Sequence, residues 1–137
     1  MHPYLNFNGN AEEAFNFYRE VFGGEFTAIQ RYNNLPGNYP FPAEEAEKIL
    51  HMSLKLPNGE MLLASDVPSY RPKAAIGDNF LLVAMTESKE ESDRIFGQLA
   101  DGGTILMPLG DMFWGAYYGI VRDRFGISWM IEYFKQD

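Results

Sequence analysis

His2 and His51 are the only histidines in the chain, and there is no cysteine. Acid–base or metal chemistry would draw first on these two imidazoles and on carboxylates. Thiolate nucleophiles, thiolate metal sites and disulfides are excluded. His51 opens an apolar run ending at Leu56, and Asp66 closes a second run that starts at Glu60. Asn58-Gly59 lies between them, the strongest short signal for a hairpin. As a two-residue loop it pairs Leu56 with Met61, Lys55 with Leu62, Leu54 with Leu63, Ser53 with Ala64, Met52 with Ser65 and His51 with Asp66. Alternation then puts Met52, Leu54, Leu56, Met61 and Leu63 against helices. His51, Ser53, Lys55, Leu62, Ala64 and Asp66 take the other face. The expected chemistry is a general base, with Asp66 orienting the His51 imidazole and raising its basicity. The same pair also suits a rim ion pair or a structural hydrogen bond.

A second group lies near the end of the chain. A hairpin over 117–122 and 127–134 turns at Asp123-Arg124-Phe125-Gly126. Pairing Arg122 with Ile127 puts Val121 beside Ser128, Gly119 beside Met130 and Tyr117 beside Glu132, all on one face. Ile120, Trp129, Ile131 and Tyr133 then face a helix. Trp114 and Tyr117 offer flat apolar walls with hydrogen-bonding tips. Tyr4 and Asn6 alternate with the apolar Leu5 and Phe7. Together with Ser53, Met130 and Glu132, these residues form the expected ligand-binding set. Glu132 would equally suit a solvated sheet rim, and Trp114 the core or a subunit seam.

The elements that must position these residues follow from periodicity and turn chemistry. A strand over 3–8 ends at Gly9-Asn10, where Asn10 can cap a helix with Glu12 and Glu13 in its first turn. Ala14, Phe15, Tyr18, Val21 and Phe22 make one apolar stripe on that helix, and Gly23-Gly24 stops it. A strand over 26–32, a turn-rich stretch over 33–43 and a short helical turn over 44–48 lead to the first hairpin. A loop over 67–78 precedes a strand over 79–85. Ser88 can then cap a second helix with Glu90 and Glu91 in its first turn, ending at Gly102-Gly103. A strand over 104–109 follows, then the last hairpin. The order is β-α-β-β-β twice, a duplication signal. The expectation is one α+β domain of two βαβββ modules, about 1–67 and 79–137, because one such unit alone buries little surface.

Composition narrows the function. At 137 residues, one domain is the prior. The chain is 46% hydrophobic and 15% aromatic, enough for a packed core. A formal charge of −8 argues against nucleic acid or an anionic membrane as partner. Neither a spanning apolar run nor a signal-peptide pattern is present, so a cytoplasmic protein is expected. No Gly-rich phosphate loop, Gly-x-Ser-x-Gly elbow or dinucleotide fingerprint occurs.

Several segments carry a family resemblance from end to end: Pro3-Tyr4-Leu5-Asn6-Phe7-Asn8-Gly9-Asn10-Ala11-Glu12-Glu13-Ala14, Phe17-Tyr18, Phe22-Gly23, Leu63-Ala64-Ser65-Asp66, Met112-Phe113-Trp114-Gly115 and Asp123-Arg124-Phe125-Gly126-Ile127-Ser128-Trp129. In these the chain resembles the vicinal oxygen chelate superfamily of glyoxalases, extradiol dioxygenases and bleomycin-resistance proteins. Within it the likeness is to the PhnB-like, 3-demethylubiquinone-9 3-methyltransferase-like branch. The resemblance implies open sheets curved around a cavity, helices outside, and a homodimer. It also implies metal positions on the first and fourth strand of each module, which fall near Pro3, Ala64, Phe80 and Met130. None of these suits a divalent first-row ion, so no metal and no other cofactor is expected. Methyl transfer gains no support, since a methyl-donor site would normally come with a Rossmann-like sheet.

Two functions follow. One is a metal-free protein that binds or sequesters a small molecule, favoured by the missing ligands and the aromatic second half. The other is a superfamily enzyme of lyase, isomerase or dioxygenase type. It would use His51 and Asp66, or an unconventional divalent site near His2, His51, Asp66 and Glu132. A dimeric scaffold without a ligand is the third.

Overall fold

A computed structural model describes residues 1–36 and 41–135. The strands are β1 (Tyr4–Phe7), β2 (Glu25–Arg31), β3 (Ile49–Lys55), β4 (Met61–Asp66), β5 (Leu82–Met85), β6 (Thr104–Asp111), β7 (Ala116–Arg122) and β8 (Ser128–Phe134). Helix α1 (Ala11–Phe22) follows β1, and α2 (Lys89–Ala100) follows β5. The chain divides into two compact units, Met1–Ala75 and Ile76–Asp137. Each holds a mixed four-stranded sheet, in the order β1-β4-β3-β2 and β5-β8-β7-β6. The first and fourth strands of each unit run parallel; the other neighbours are antiparallel. This is the α+β arrangement of two βαβββ modules that the sequence order implies.

Each helix covers one face of its own sheet. Ala11, Ala14, Phe15, Tyr18 and Val21 recur at helical spacing and are buried. With Leu5, Phe7, Met52, Leu54, Leu62 and Ala64 they form the core of the first unit. Burying side chains the size of Phe15 or Tyr18 is worth roughly 1.5–3 kcal/mol each. In the second unit Ile95, Phe96 and Leu99 of α2 meet Val121, Trp129 and Ile131. Ser88 caps α2 as expected, its hydroxyl accepting the Glu91 N–H at 3.0 Å. Asn10 makes no side-chain cap on α1. Among the described residues no helix is long and apolar enough to cross a membrane.

Both hairpins close on three-residue loops. In the first, Leu56 N–H donates to Glu60 O at 2.8 Å and Gly59 N–H to Leu56 O at 2.9 Å, with Gly59 at φ +91°. In the second, Asp123 N–H donates to Ile127 O at 2.8 Å and Gly126 N–H to Asp123 O at 3.0 Å, with Gly126 also at φ +91°. Three-residue loops ending in a left-handed glycine are a standard hairpin class. The observed registers are Met52–Ala64, Ser53–Leu63, Leu54–Leu62 and Lys55–Met61, then Arg122–Ser128, Val121–Trp129 and Ile120–Met130. Each differs by one residue from the register expected from sequence. A one-residue slip turns one strand over. Leu62, Ala64 and Asp66 therefore face α1, while Val121 and Gly119 face α2 and Ile120 does not.

Candidate functional site

The face of each sheet away from its helix carries the candidate site residues. In the first unit Tyr4 pairs with Leu63 and Leu63 with Ser53, while Asn6 pairs with Ser65. Tyr4, Asn6, His51, Ser53, Leu63 and Ser65 thus share this open face. The Tyr4 hydroxyl lies 3.2 Å from His51 Nδ1, with ring centroids 5.7 Å apart. The Ser53 and Thr27 hydroxyls are 2.5 Å apart. Here Tyr4, Asn6, His51 and Ser53 come together. Leu63, Ser65 and Thr27 join them, unanticipated from sequence.

Asp66 does not belong to this group. It pairs with Phe7 on the helix side and is buried. Its Oδ1 accepts the N–H of Gly9 and of Ala11, both at 3.0 Å, and its Oδ2 accepts the N–H of Ile49 at 2.9 Å. The expected His51–Asp66 pair is therefore corrected: the three-residue turn rotates β4 and turns Asp66 to the opposite face from His51. Asp66 instead joins the start of α1 to the start of β3. It supplies the anionic acceptor that Asn10 does not, where the helix dipole favours negative charge.

In the second unit Val83 pairs with Met130, Met130 with Ile120 and Ile120 with Met107. Met85 pairs with Glu132, and Glu132 with Tyr118. This open face is largely apolar, and Val83 and Met85 are more than half exposed, at 52% and 58%. The Trp114 ring sits 6.0 Å from that of Tyr118, and Phe113 meets Trp114 edge-on at 4.8 Å. The half-buried Glu132 carboxylate makes no hydrogen bond or ion pair among the described residues. Tyr118 replaces Tyr117 as the neighbour of Glu132. Tyr117 is corrected to the other face: its hydroxyl donates to Asp93 Oδ1 of α2 at 2.5 Å, and Lys89 Nζ lies 5.0 Å from its ring centroid. That hydrogen bond, with burial second, raises its phenol to about 12.

The metal positions that the resemblance implies carry no suitable ligands on these strands. Pro3 precedes β1, Ala64 is wholly buried against α1, and Phe80 lies before β5. On the open face, β1 and β4 present Tyr4, Asn6, Leu63 and Ser65. On theirs, β5 and β8 present Val83, Met85, Ser128, Met130 and Glu132. The first set contains no imidazole or carboxylate, and the second a single carboxylate. These donors do not fit a divalent first-row ion. Among the described residues, no cluster of three or more His, Asp or Glu could hold a metal.

A pair of βαβββ units, each with its helix on one face and the other face open, is the glyoxalase-like arrangement. A glyoxylase/bleomycin resistance protein/dioxygenase domain from Frankia sp. EAN1pec shares it, with a TM-score of 0.67 over 98% of this chain and 94% of that one, at 14% identity. Within that fold, the chain belongs to the family described as 3-demethylubiquinone-9 3-methyltransferase, whose model matches residues 1–132. Protein PA1353 from Pseudomonas aeruginosa is 38% identical with a TM-score of 0.85, covering 99% of this chain and 98% of that one. The PhnB protein from Bacillus cereus, described as a putative 3-demethylubiquinone-9 3-methyltransferase, is 32% identical with a TM-score of 0.80, covering 97% and 98%. Protein YjdN of Escherichia coli (strain K12) is 29% identical over 99% of this chain and 96% of its own length.

Proposed function

We propose that this PhnB-like protein binds a small apolar or aromatic molecule bearing an amine, without a resident metal and without transforming it. The observation that carries this reading is Glu132. Its carboxylate, without a hydrogen bond or ion pair among the described residues, shares an apolar face with Met85, Met130 and Tyr118, bordered by Trp114. Small-molecule sites are mostly apolar with a few placed polar groups. A carboxylate there favours a cationic or hydrogen-bond-donating ligand. Binding is favoured over catalysis because Asp66, the group that would orient His51, is committed to three backbone N–H groups. The dimer implied by the resemblance is part of this reading, and sedimentation tests it.

The experiment is a fluorescence titration of the intact protein with aromatic amines and with uncharged alcohols of the same skeleton. Trp114 is half-exposed and Trp129 is buried, so quenching by a bound ring reports on Trp114. Saturable binding of an amine is expected, weakened about tenfold by Glu132→Gln (~1.4 kcal/mol) and abolished by Trp114→Ala. Absence of saturable binding, or indifference to both substitutions, overturns the proposal. So does stoichiometric Zn, Ni, Mn or Fe in protein purified without chelator and lost on mutating His51 or Glu132.

The Tyr4–His51 contact supports a second reading, in which this pair acts as an acid–base couple on a bound molecule. It requires turnover that His51→Ala abolishes while ligand affinity is retained.

A further inference from the structure

The first unit contains a cavity of about 310 Å³ that no open-face residue lines. It lies where the turn after β1, the 3-10 turn Ala43–Glu45 and the loop after β4 meet. Its volume falls at the small end of ligand pockets, which run roughly 300–1,000 Å³. Its wall carries three carboxylates, Glu44, Glu45 and Asp66, and three cations, Lys48, Arg71 and Lys73. A charge-balanced site in a chain of net −8 selects for balanced ligands.

The partners of these groups show which remain available. Asp66 is spent on Gly9, Ala11 and Ile49. Lys48 Nζ donates to Gly9 O at 2.8 Å. Glu45 Oε1 accepts the Ser69 N–H at 2.7 Å, but its Oε2 is buried and finds no donor among the described residues. A buried acceptor without a donor is costly, more so when charged. Arg71 and Lys73 make no side-chain hydrogen bond or ion pair among the described residues. Tyr32 also lines the cavity, and its buried hydroxyl donates to Asp66 O at 2.8 Å, so its proton is already used. The cavity therefore offers the carboxylates of Glu44 and Glu45 on one side and the cations Arg71 and Lys73 as donors.

We propose that this cavity binds a small zwitterion, its ammonium on the Glu44 and Glu45 carboxylates and its carboxylate on Arg71 and Lys73. An anion alone would meet the charges of Glu44 and Glu45. A cation alone would meet Arg71, Lys73 and Lys48. Only a molecule with both charges complements both sets. This site stands independently of the open-face reading.

The test is calorimetric titration of the full chain with glycine, β-alanine and γ-aminobutyrate, against butyrate and butylamine. At least one amino acid should bind saturably, and butyrate and butylamine at least about tenfold more weakly. Glu45→Gln, which keeps an acceptor for the Ser69 N–H, should weaken binding by about tenfold or more, as should Arg71→Ala. Circular dichroism verifies that both variants fold. The proposal is overturned if no amino acid binds, if butyrate binds as tightly as γ-aminobutyrate, or if both variants bind like the wild type.

Discussion

Asp66 Oδ2 accepts the backbone N–H of Ile49 at 2.9 Å, while its other oxygen holds Gly9 and Ala11. One buried carboxylate thus ties together β3, the loop after β1 and the first turn of α1. Removing it strands three backbone donors. Hydrogen bonds to charged groups contribute ~1.5–3 kcal/mol each, and unmade buried ones cost more than they contributed. Asp66→Ala should therefore lower unfolding free energy by about 3 kcal/mol or more in urea denaturation. His51→Ala, at a half-buried open-face position, should cost about 1 kcal/mol or less. Equal effects would contradict the division of the two residues between faces.

Tyr117 and Tyr32 are both raised to about 12, for different reasons. For Tyr117 the hydrogen bond to Asp93 leads; for Tyr32 burial leads, followed by nearby anionic groups including Glu45. The folded state therefore favours the neutral phenols. Their contribution to stability is complete below the ordinary tyrosine value of about 10 and is lost as pH rises through about 12. Near-ultraviolet phenolate absorbance should keep rising to about pH 12. Asp93→Asn should bring one phenol back toward about 10 and leave Tyr32 late.

The element order was legible because each signal was local. Ser88 with Glu91 capped α2, Gly23 ended α1, and the 3.6-residue spacing of Ala14, Tyr18 and Val21 marked the buried face. The facing of β4 and β7 was not legible. It depends on whether a hairpin closes on two residues or three, and Asn58-Gly59 is compatible with both. Gly59 takes the left-handed position at the end of a three-residue loop, as Gly126 does in the second unit. This shared three-residue closure is what turns Asp66 off the open face and puts Tyr118 beside Glu132. Strand alternation within β3 and β8 alone does mark the helix side: Met52, Leu54, Trp129 and Ile131 are all buried.

Arg31 holds Glu12 through two parallel bonds, Nη1 to Oε1 at 3.0 Å and Nη2 to Oε2 at 2.6 Å. This joins the end of β2 to the first turn of α1. The Arg31 hydrogen bond keeps the Glu12 carboxyl below its usual value. A lowered folded value means the contribution is present above the unfolded pKa and disappears as pH falls through the folded one. Both side chains are partly exposed, 27% for Arg31 and 43% for Glu12, so solvent and salt screen the pair. Arg31→Ala should cost about 0.5–1 kcal/mol at neutral pH in low salt. The loss should shrink in strong acid and at high ionic strength. A loss that persists at low pH would mean that packing of the arginine stem dominates.

The glycines after each helix occupy equivalent tight places. A Cβ on Gly24 would stand 2.2 Å from Lys55 O, and one on Gly103 would stand 2.3 Å from Arg122 O. In each unit the strand after the helix passes directly over the carbonyl at the end of its antiparallel neighbour. Backbone cannot yield as a flexible side chain can, so alanine at either position should cost ~2–3 kcal/mol. Gly24 carries added strain from its φ of +97°. Gly97 lies within α2 with nothing within 4 Å of its added Cβ. There the substitution removes only the entropic cost of a helical glycine, so Gly97→Ala should stabilise by about 0.5–1 kcal/mol. Thermal unfolding of the three variants should give two losses and one gain. A tolerated Gly103→Ala would show that the β6–β7 approach is looser than the structure describes.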